Sequence, residues 1–166
     1  MLSDCKILLL LQIMKKLIFL LSPLFLQAQD VPIGNWKDYL SYNSASYIAE
    51  AENRMYCVAS GGLFYIDKGD NTINRISKVT GLSDVGVKQV AYSEALKITV
   101  ITYENCNIDL IKNNQIINIS DIKRKEIAGL KLITNITLRD GVAYLSCPFG
   151  LVLVDLEKEE IKDTYH

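Results

Sequence analysis

One short apolar run recurs three times along the chain at nearly constant spacing. The three runs are GLFYID (62–67), NIDLIK (107–112) and GLVLVD (150–155). Leu63 and Ile108 lie 45 residues apart, and Ile108 and Leu151 lie 43 residues apart. A fixed period of this length is typical of repeat architectures, in which each repeat is one supersecondary unit. The repeat therefore constrains the fold more than any other feature of the sequence.

The segments around each run follow the same order. Two apolar segments precede the run, and a charged or amide-rich turn and a weaker apolar segment follow it. These segments are short, rich in Val, Ile, Tyr, Phe and Thr, and bounded by Gly, Asn, Asp and Ser, which favours β-strands. The dipeptide Asp140-Gly141 is a typical hairpin turn. Each of the three units is therefore predicted to contain four short strands.

The recurring runs are almost continuously apolar, which indicates strands that are covered on both faces. A four-stranded antiparallel sheet that repeats every 40 to 45 residues and packs between copies of itself is a β-propeller blade. We therefore predict an all-β fold, an incomplete β-propeller of about three blades, with each run as the packed inner strand of its blade. A β-sandwich is the alternative. Because propeller rings contain about four to eight blades, we expect this chain to be part of a longer protein.

The N-terminus has the pattern of an export signal. Lys15 and Lys16 precede an apolar core at 17–26, and Ala28 offers a small residue for cleavage, so translation is expected to start at Met14. A membrane anchor is the alternative, but the apolar stretches on either side of the lysine pair are each too short to span a bilayer. The predicted divisions are a signal peptide at 1–28, an N-terminal segment with a potential closing strand at 29–46, and blade units at 47–87, 88–130 and 131–166.

Charge and composition exclude several functions. The formal net charge of −1 becomes more negative when the lysine-bearing leader is removed, which argues against nucleic-acid binding. The only histidine is His166, so the sequence offers no plausible Ser-His-Asp or Cys-His pair and no multi-histidine metal site. Asp67, Asp109 and Asp155 could be considered as catalytic acids, but we expect them at turns or rims. The sequence therefore predicts a protein that is not an enzyme and has no cofactor.

Three cysteines remain after the leader, and they show no C-x-x-C spacing. Cys57 lies in the apolar segment MYCVA and is predicted to be a buried free thiol. Cys106 and Cys147 each precede a recurring run. A disulfide bridge between neighbouring units is therefore one alternative, provided that the two backbones come close enough.

The segment DIKRKEIAGLK (121–131) is the candidate ligand-binding site. Lys123, Arg124 and Lys125 form a basic cluster that could contact an anionic polysaccharide. The alternative is a solvated connection between two blades. Tyr103 and Phe149 flank equivalent turns and could stack on sugars, although core packing is expected for Phe149.

Several segments carry a resemblance to known families. The stretch SKVTGLSDVGVKQVAY (77–92) resembles the linker of regulator-type propellers in the periplasmic halves of Bacteroidetes hybrid two-component sensors. A closer resemblance, to the N-terminal propeller of the PorZ family of the type IX secretion system, is carried by four segments in this order and spacing: VPIGNWKDYLSYNSASYIAEAENRMYCVASGGLFYIDK, NTINRISKVTGLSDVGV, NIDLI and ISDIKRKEIAGLK. The resemblance extends over nearly all of residues 31–166.

This resemblance implies an exported protein at the outer membrane and cell surface. PorZ-like proteins belong to the attachment complex with the sortase PorU and with PorV and PorQ, and the resemblance implies a role in supplying anionic lipopolysaccharide to the sortase. The resemblance implies no catalytic residue in this chain. The alternatives are a periplasmic ligand-sensing propeller of a hybrid two-component regulator and, more distantly, a propeller enzyme such as a polysaccharide lyase.

Overall fold

The computed structural model describes residues 15–16 and 36–166. All of its strands lie in the unit Asp38–His166. Apart from Lys15 and Lys16, the predicted signal peptide at 1–28 lies outside the described residues. Residues 29–35 of the predicted N-terminal segment also lie outside them.

Twelve strands in residues 36–166 form three separate four-stranded antiparallel sheets. Blade 1 contains β1 (Ala45–Glu50), β2 (Arg54–Ala59), β3 (Gly62–Asp67) and β4 (Ile73–Ile76). Blade 2 contains β5 (Val87–Ser93), β6 (Ile98–Tyr103), β7 (Ile108–Lys112) and β8 (Gln115–Ile119). Blade 3 contains β9 (Asn135–Arg139), β10 (Val142–Cys147), β11 (Gly150–Asp155) and β12 (Glu160–Tyr165). This architecture confirms the prediction of an incomplete propeller of about three blades.

Within each blade the strands pair in chain order, so every connection inside a blade is a hairpin. The first strands of the blades contact one another, β1 with β5 and β5 with β9. The recurring apolar runs form β3, β7 and β11, the third strand of each sheet, which is paired on both edges. The sheets occupy residues 45–76, 87–119 and 135–165, whereas the unit boundaries at 47–87, 88–130 and 131–166 remain predictions from the sequence.

Turn residues explain the hairpins. Asp140 and Gly141, which join β9 to β10, have φ angles of 50° and 75°. Positive φ at both central residues is the requirement of a type I′ turn, whose twist matches that of the flanking strands. The predicted turn is therefore present and fixes the register in which Val142 lies opposite Arg139.

Two apolar cores lie between the blades, and the strands of blade 2 contribute to both. In β6, Ile101 and Tyr103 pack towards blade 1, whereas Ile98 and Val100 pack towards blade 3. All six residues of β6 are buried, because this strand is covered on both faces. In contrast, five of the six residues of β1 are exposed.

The residues that precede β1 form no strand between 36 and 44. Tyr42 from this segment packs edge-on against Phe64 of β3, with ring centroids 5.9 Å apart. The guanidinium carbon of Arg75 lies 5.0 Å from the centre of the Tyr42 ring. The segment thus covers part of the outer face of blade 1. Within residues 15–16 and 36–166, no helix has the length and apolar character needed to cross a membrane.

Candidate functional site

The basic cluster lies on the connection between blades 2 and 3. A single helical turn, α1 (Asp121–Arg124), follows β8, and its hydrogen bonds run from the Arg124 N–H to the Ser120 carbonyl and from the Lys125 N–H to the Asp121 carbonyl. Ile122 is only 5% exposed and anchors this turn in the core between blades 2 and 3. The anchored turn leaves Lys123, Arg124 and Lys125 at the surface.

Lys123 is already engaged by an acidic partner. Its ammonium donates to Oδ2 of Asp84 at 2.5 Å, and the Lys123 side chain is 40% exposed whereas that of Asp84 is 10% exposed. Asp84 lies in the connection between blades 1 and 2, directly after the GLS sequence at 81–83. The ion pair thus joins the two connections on either side of blade 2. Lys123 is therefore positioned by the protein itself and is less available to a ligand than the sequence suggested.

Asp84 is held as a carboxylate by several donors. Its oxygens accept from the side-chain amides of Asn105, at 2.6 Å, and Asn107, at 3.4 Å, and from the Val85 N–H at 3.0 Å. Burial alone would raise the pKa of Asp84, but the hydrogen bonds from Lys123, Asn105 and Val85 lower this pKa to about 2. Asp84 is thus ionised at neutral pH and is occupied by protein donors.

The two other basic residues of the cluster, Arg124 and Lys125, are more accessible to a ligand than Lys123. The Arg124 side chain is 72% exposed, and its guanidinium lies 3.5 Å from Asp121, which is itself 61% exposed. Such an exposed pair contributes little to stability. The ammonium of Lys131 donates to the backbone carbonyls of Lys123, at 2.6 Å, and Lys125, at 2.9 Å, and so holds the end of the segment against the helical turn. Arg124 and Lys125 are therefore the cations of the predicted cluster that remain available to a ligand.

A surface cavity of about 350 Å³ lies beside Lys125. Ile122, Ile127 and Phe149 form part of its apolar wall. Asp121, Glu160 and His166 lie at the same cavity, so both signs of charge are present. Phe149 is half-buried and packs against the core between blades 2 and 3, as expected.

Tyr103 cannot stack on a sugar, because it is completely buried. Its hydroxyl donates to Oδ2 of Asp109, which is also completely buried. Burial, together with the hydrogen bond to the Asp109 carboxylate, raises the pKa of Tyr103. The suggestion that Tyr103 contacts a ligand is therefore wrong.

The three recurring aspartates have two different roles. Asp67 accepts from the Gly69 N–H at 2.9 Å, and Asp155 accepts from the Glu157 and Lys158 N–H groups, so both cap turns as expected. Asp109 instead accepts from the Ser83 N–H at 2.9 Å and from the Asn118 amide at 2.8 Å. It is a buried link between blade 2 and the preceding connection, so its prediction as a turn or rim residue is wrong.

The described part of the chain contains no group of three or more His, Cys, Asp or Glu side chains that could hold a metal ion. His166 is exposed, and its Nδ1 lies 3.0 Å from the Phe149 carbonyl oxygen. Cys57 and Cys106 are buried free thiols, and Cys147 is a partly buried one.

Reasoning from the sequence missed the polar network around Asp84 and Asp109. One signal was present in the run NIDLI, where a single acid interrupts an otherwise apolar strand. Such an acid must find hydrogen-bond donors when the strand is buried on both faces. The donors come from Ser83, Tyr103 and Asn118, and their convergence depends on tertiary structure rather than on local pattern.

Several solved structures share this fold, and one of them is also similar in sequence. PorZ of Porphyromonas gingivalis, described as an essential bacterial surface component of the type IX secretion system, matches with a TM-score of 0.76 and 29% sequence identity. The match covers 80% of this chain and 18% of the PorZ chain, so this chain spans less than a fifth of that protein.

Two further structures share the fold alone. AztD of Citrobacter koseri matches at a TM-score of 0.54 and 14% identity, over 74% of this chain and 33% of its own. The computationally designed Ika4 protein matches at a TM-score of 0.55 and 11% identity, over 78% of this chain and 79% of its own. No curated protein sequence matches the chain significantly.

The sequence itself matches one family over most of its length. Residues 55–166 fit the family described as the N-terminal β-propeller domain of PorZ of the type IX secretion system. These residues include β3, β7 and β11, the connection that carries Asp84, and the basic cluster. The chain therefore belongs to the family of PorZ N-terminal β-propeller domains.

Proposed function

We propose that this protein is a non-catalytic binding component of a type IX secretion system and acts at the cell surface. The observation that carries the proposal is the combined match to PorZ, in sequence over residues 55–166 and in fold at a TM-score of 0.76. The location follows that of the Porphyromonas gingivalis protein, which is a bacterial surface component. The export signal predicted at 1–28 agrees with this location.

The finer role that we propose is the presentation of anionic lipopolysaccharide to the sortase PorU, together with PorV and PorQ. The sequence contains three acids that could be considered as catalytic, and their contacts support a non-catalytic role. Asp67 and Asp155 cap turns, and Asp109 links buried groups. Arg124 and Lys125 offer cations at the surface, and the cavity beside Lys125 offers apolar wall. Lipopolysaccharide is an amphipathic anion, so a site that binds it needs both cations and apolar surface.

Deletion of the gene in the source bacterium tests the secretion role. We expect secreted cargo to be released into the medium instead of remaining anchored at the surface, and we expect the intact gene to restore anchoring. The measurement is the distribution of cargo between washed cells and medium. Normal anchoring together with an altered transcriptional response would contradict the secretion role and favour the sensing propeller.

A binding measurement tests the ligand and the basic cluster. Purified anionic lipopolysaccharide should bind the protein, and binding should weaken as salt rises, because exposed charges are screened over about 8 Å at physiological ionic strength. The double variant Arg124→Ala/Lys125→Ala should weaken binding by about threefold to tenfold. Lys158→Ala, which removes an exposed lysine at the β11–β12 turn, is the matched control. If neither salt nor the double variant changes the binding affinity, the cluster is only a solvated connection between blades.

A further inference from the structure

Two of the three cysteines in the described chain occupy similar places in neighbouring blades. Cys106 lies in the turn between β6 and β7 of blade 2, and Cys147 is the last residue of β10, where the turn to β11 begins. Cys57 lies apart from them, in β2 of blade 1. The structure contains all three as free thiols.

Cys106 and Cys147 both belong to the core between blades 2 and 3. Cys106 is completely buried within this core, and Cys147 packs against it as a partly buried side chain. In β10, alternate residues Ala143 and Leu145 belong to the same core, so the side of the strand that carries Cys147 faces blade 2. Cys57 belongs to neither inter-blade core.

A short backbone segment connects the surroundings of the two thiols. The Ile133 backbone N–H lies near the Cys106 sulfur and partly offsets the rise that burial causes in the pKa of this thiol. The next residue, Thr134, donates its N–H to the Ser146 carbonyl at 2.8 Å. Asn135 lies opposite Ser146 in the β9–β10 ladder, so the same register carried one residue further brings Thr134 opposite Cys147. The two cysteines therefore lie against neighbouring residues of one backbone segment.

We propose that Cys106 and Cys147 form a disulfide that joins blade 2 to blade 3 under oxidising conditions. The physiological setting rests on the proposed function, since a protein exported to the cell surface leaves the reducing cytoplasm. The bridge adds a covalent link to a contact that includes apolar packing, the Lys112–Glu159 ion pair and the hydrogen bond from the Gln89 amide to the Thr134 carbonyl.

The reaction is a thiol–disulfide exchange with a disulfide oxidant, R–S–S–R. The Cys147 thiolate attacks one sulfur of the oxidant and forms a mixed disulfide, and one R–S⁻ leaves. The Cys106 thiolate then attacks the Cys147 sulfur, and the second R–S⁻ leaves. The two cysteine thiols lose two protons and two electrons, and the oxidant is reduced to two thiols. Cys147 attacks first because it is partly exposed, whereas Cys106 is completely buried.

Burial makes this reaction slow in the folded protein at neutral pH. Burial, and then the nearby Cys106, raise the pKa of Cys147 to about 11, and burial raises the pKa of Cys106. Because the thiolate is the nucleophile, the rate of closure should rise about tenfold for each pH unit between 7 and 9. Closure is expected to be faster during folding, before the thiols are buried.

Treatment of the purified full chain with oxidised glutathione at pH 9, where closure should be about a hundredfold faster than at pH 7, tests the proposal. After oxidation, the protein is unfolded without reductant, alkylated and mapped by peptide mass spectrometry. We expect a peptide that links Cys106 to Cys147, with Cys57 alkylated as an internal control. The oxidised protein should melt about 5 to 10 °C above the reduced protein, because the bridge closes a long loop.

Two outcomes would overturn the proposal: alkylation of all three described cysteines, or linkage of Cys57 to either partner. The variants Cys147→Ser and Cys57→Ser are a matched pair, since only the former should abolish the shift in melting temperature. If Cys147→Ser fails to fold, the peptide map of the oxidised chain without substitutions still tests the proposal. This test does not depend on the location of the protein, so failure of the secretion role would appear separately in the gene deletion.

Discussion

The ammonium of Lys123 lies 2.5 Å from a carboxylate oxygen of Asp84, a residue 39 positions earlier in the chain. This contact joins the connection that leads into blade 2 to the connection that leaves it. The connection into blade 2 is also tied to that blade, because the Ser83 N–H donates to Asp109 and the Gly86 carbonyl accepts from the Glu104 N–H. The ion pair extends this link to the connection that leaves the blade. The pair therefore has a structural role at the centre of the predicted basic cluster.

Replacement of Asp84 by Asn should lower the free energy of unfolding by about 1 to 3 kcal/mol. The change removes the charge that pairs with Lys123 while keeping the shape of the side chain, and it leaves a partly buried ammonium without its partner. Urea unfolding at pH 7 measures the effect. Asp140→Asn is the control, because Asp140 is exposed and pairs with the equally exposed Arg139. Equal effects of the two changes would contradict the role of Asp84.

The same carboxylate should give a defined pH dependence. The pKa of Asp84 is lowered from 3.8 to about 2 in the folded protein, so its contribution to stability is complete above about pH 5. This contribution is lost as the pH falls through 4 towards 2. The difference in unfolding free energy between the wild type and Asp84→Asn should therefore shrink over this range. A difference that stays constant from pH 6 to 2 would mean that the Asp84 carboxyl titrates normally.

Tyr103 and Asp109 provide a second test of the buried network. Tyr103→Phe removes the hydroxyl that donates to the Asp109 carboxylate, and both side chains are completely buried. We expect a loss of about 1.5 to 3 kcal/mol in unfolding free energy, the range for a hydrogen bond to a charged group. Tyr165→Phe, at an exposed position, should cause no measurable change. Similar melting curves for the two variants would show that Asp109 is satisfied without Tyr103.

Gly150, at the start of β11, is constrained by both conformation and space. Its φ is +140°, and a Cβ atom there would lie 2.1 Å from the Tyr165 carbonyl oxygen of the neighbouring strand. Gly150→Ala should therefore lower the unfolding free energy by about 2 to 4 kcal/mol. Gly129→Ala is the control, because Gly129 also has a positive φ of 99° but has no atom within 4 Å of an added Cβ. Equal losses in the two variants would contradict the steric constraint at Gly150.

The sequence predicts the strands and hairpins well because these features are local. Positive φ at Asp140 and Gly141 follows from the residue types, and the period of the apolar runs follows from one structural unit per repeat. The positions of β3, β7 and β11 inside their sheets could be predicted for the same reason.

The candidate site was less predictable because its contacts are distant in sequence. Lys123 appears in the sequence as one of three equivalent cations, and only the fold reveals that Asp84 binds it while Arg124 remains exposed. Tyr103 likewise appears as a surface aromatic residue beside a turn. Its burial depends on the packing of blade 1 against blade 2, which no local pattern encodes.

The outer face of blade 1 carries an exposed apolar patch. The register of β1 to β4 places Ile48, Cys57 and Phe64 in one cross-strand row, and Met55, Ile66 and Ile73 in the next. Ile48 and Ile73 are 65% and 66% exposed, although isoleucine is among the residues most often buried. An exposed apolar sheet face of this kind favours association with another apolar surface.

We expect the chain to self-associate through this face at micromolar concentration. The double variant Ile48→Thr/Ile73→Thr should shift the protein towards the monomer in sedimentation velocity, because it removes apolar surface while keeping strand propensity. Val79→Thr/Val85→Thr is the matched control, since these valines are 49% and 59% exposed but lie in the connection after blade 1. If both double variants change association equally, or if the wild type is monomeric at all concentrations, the face of blade 1 is not the surface that drives association.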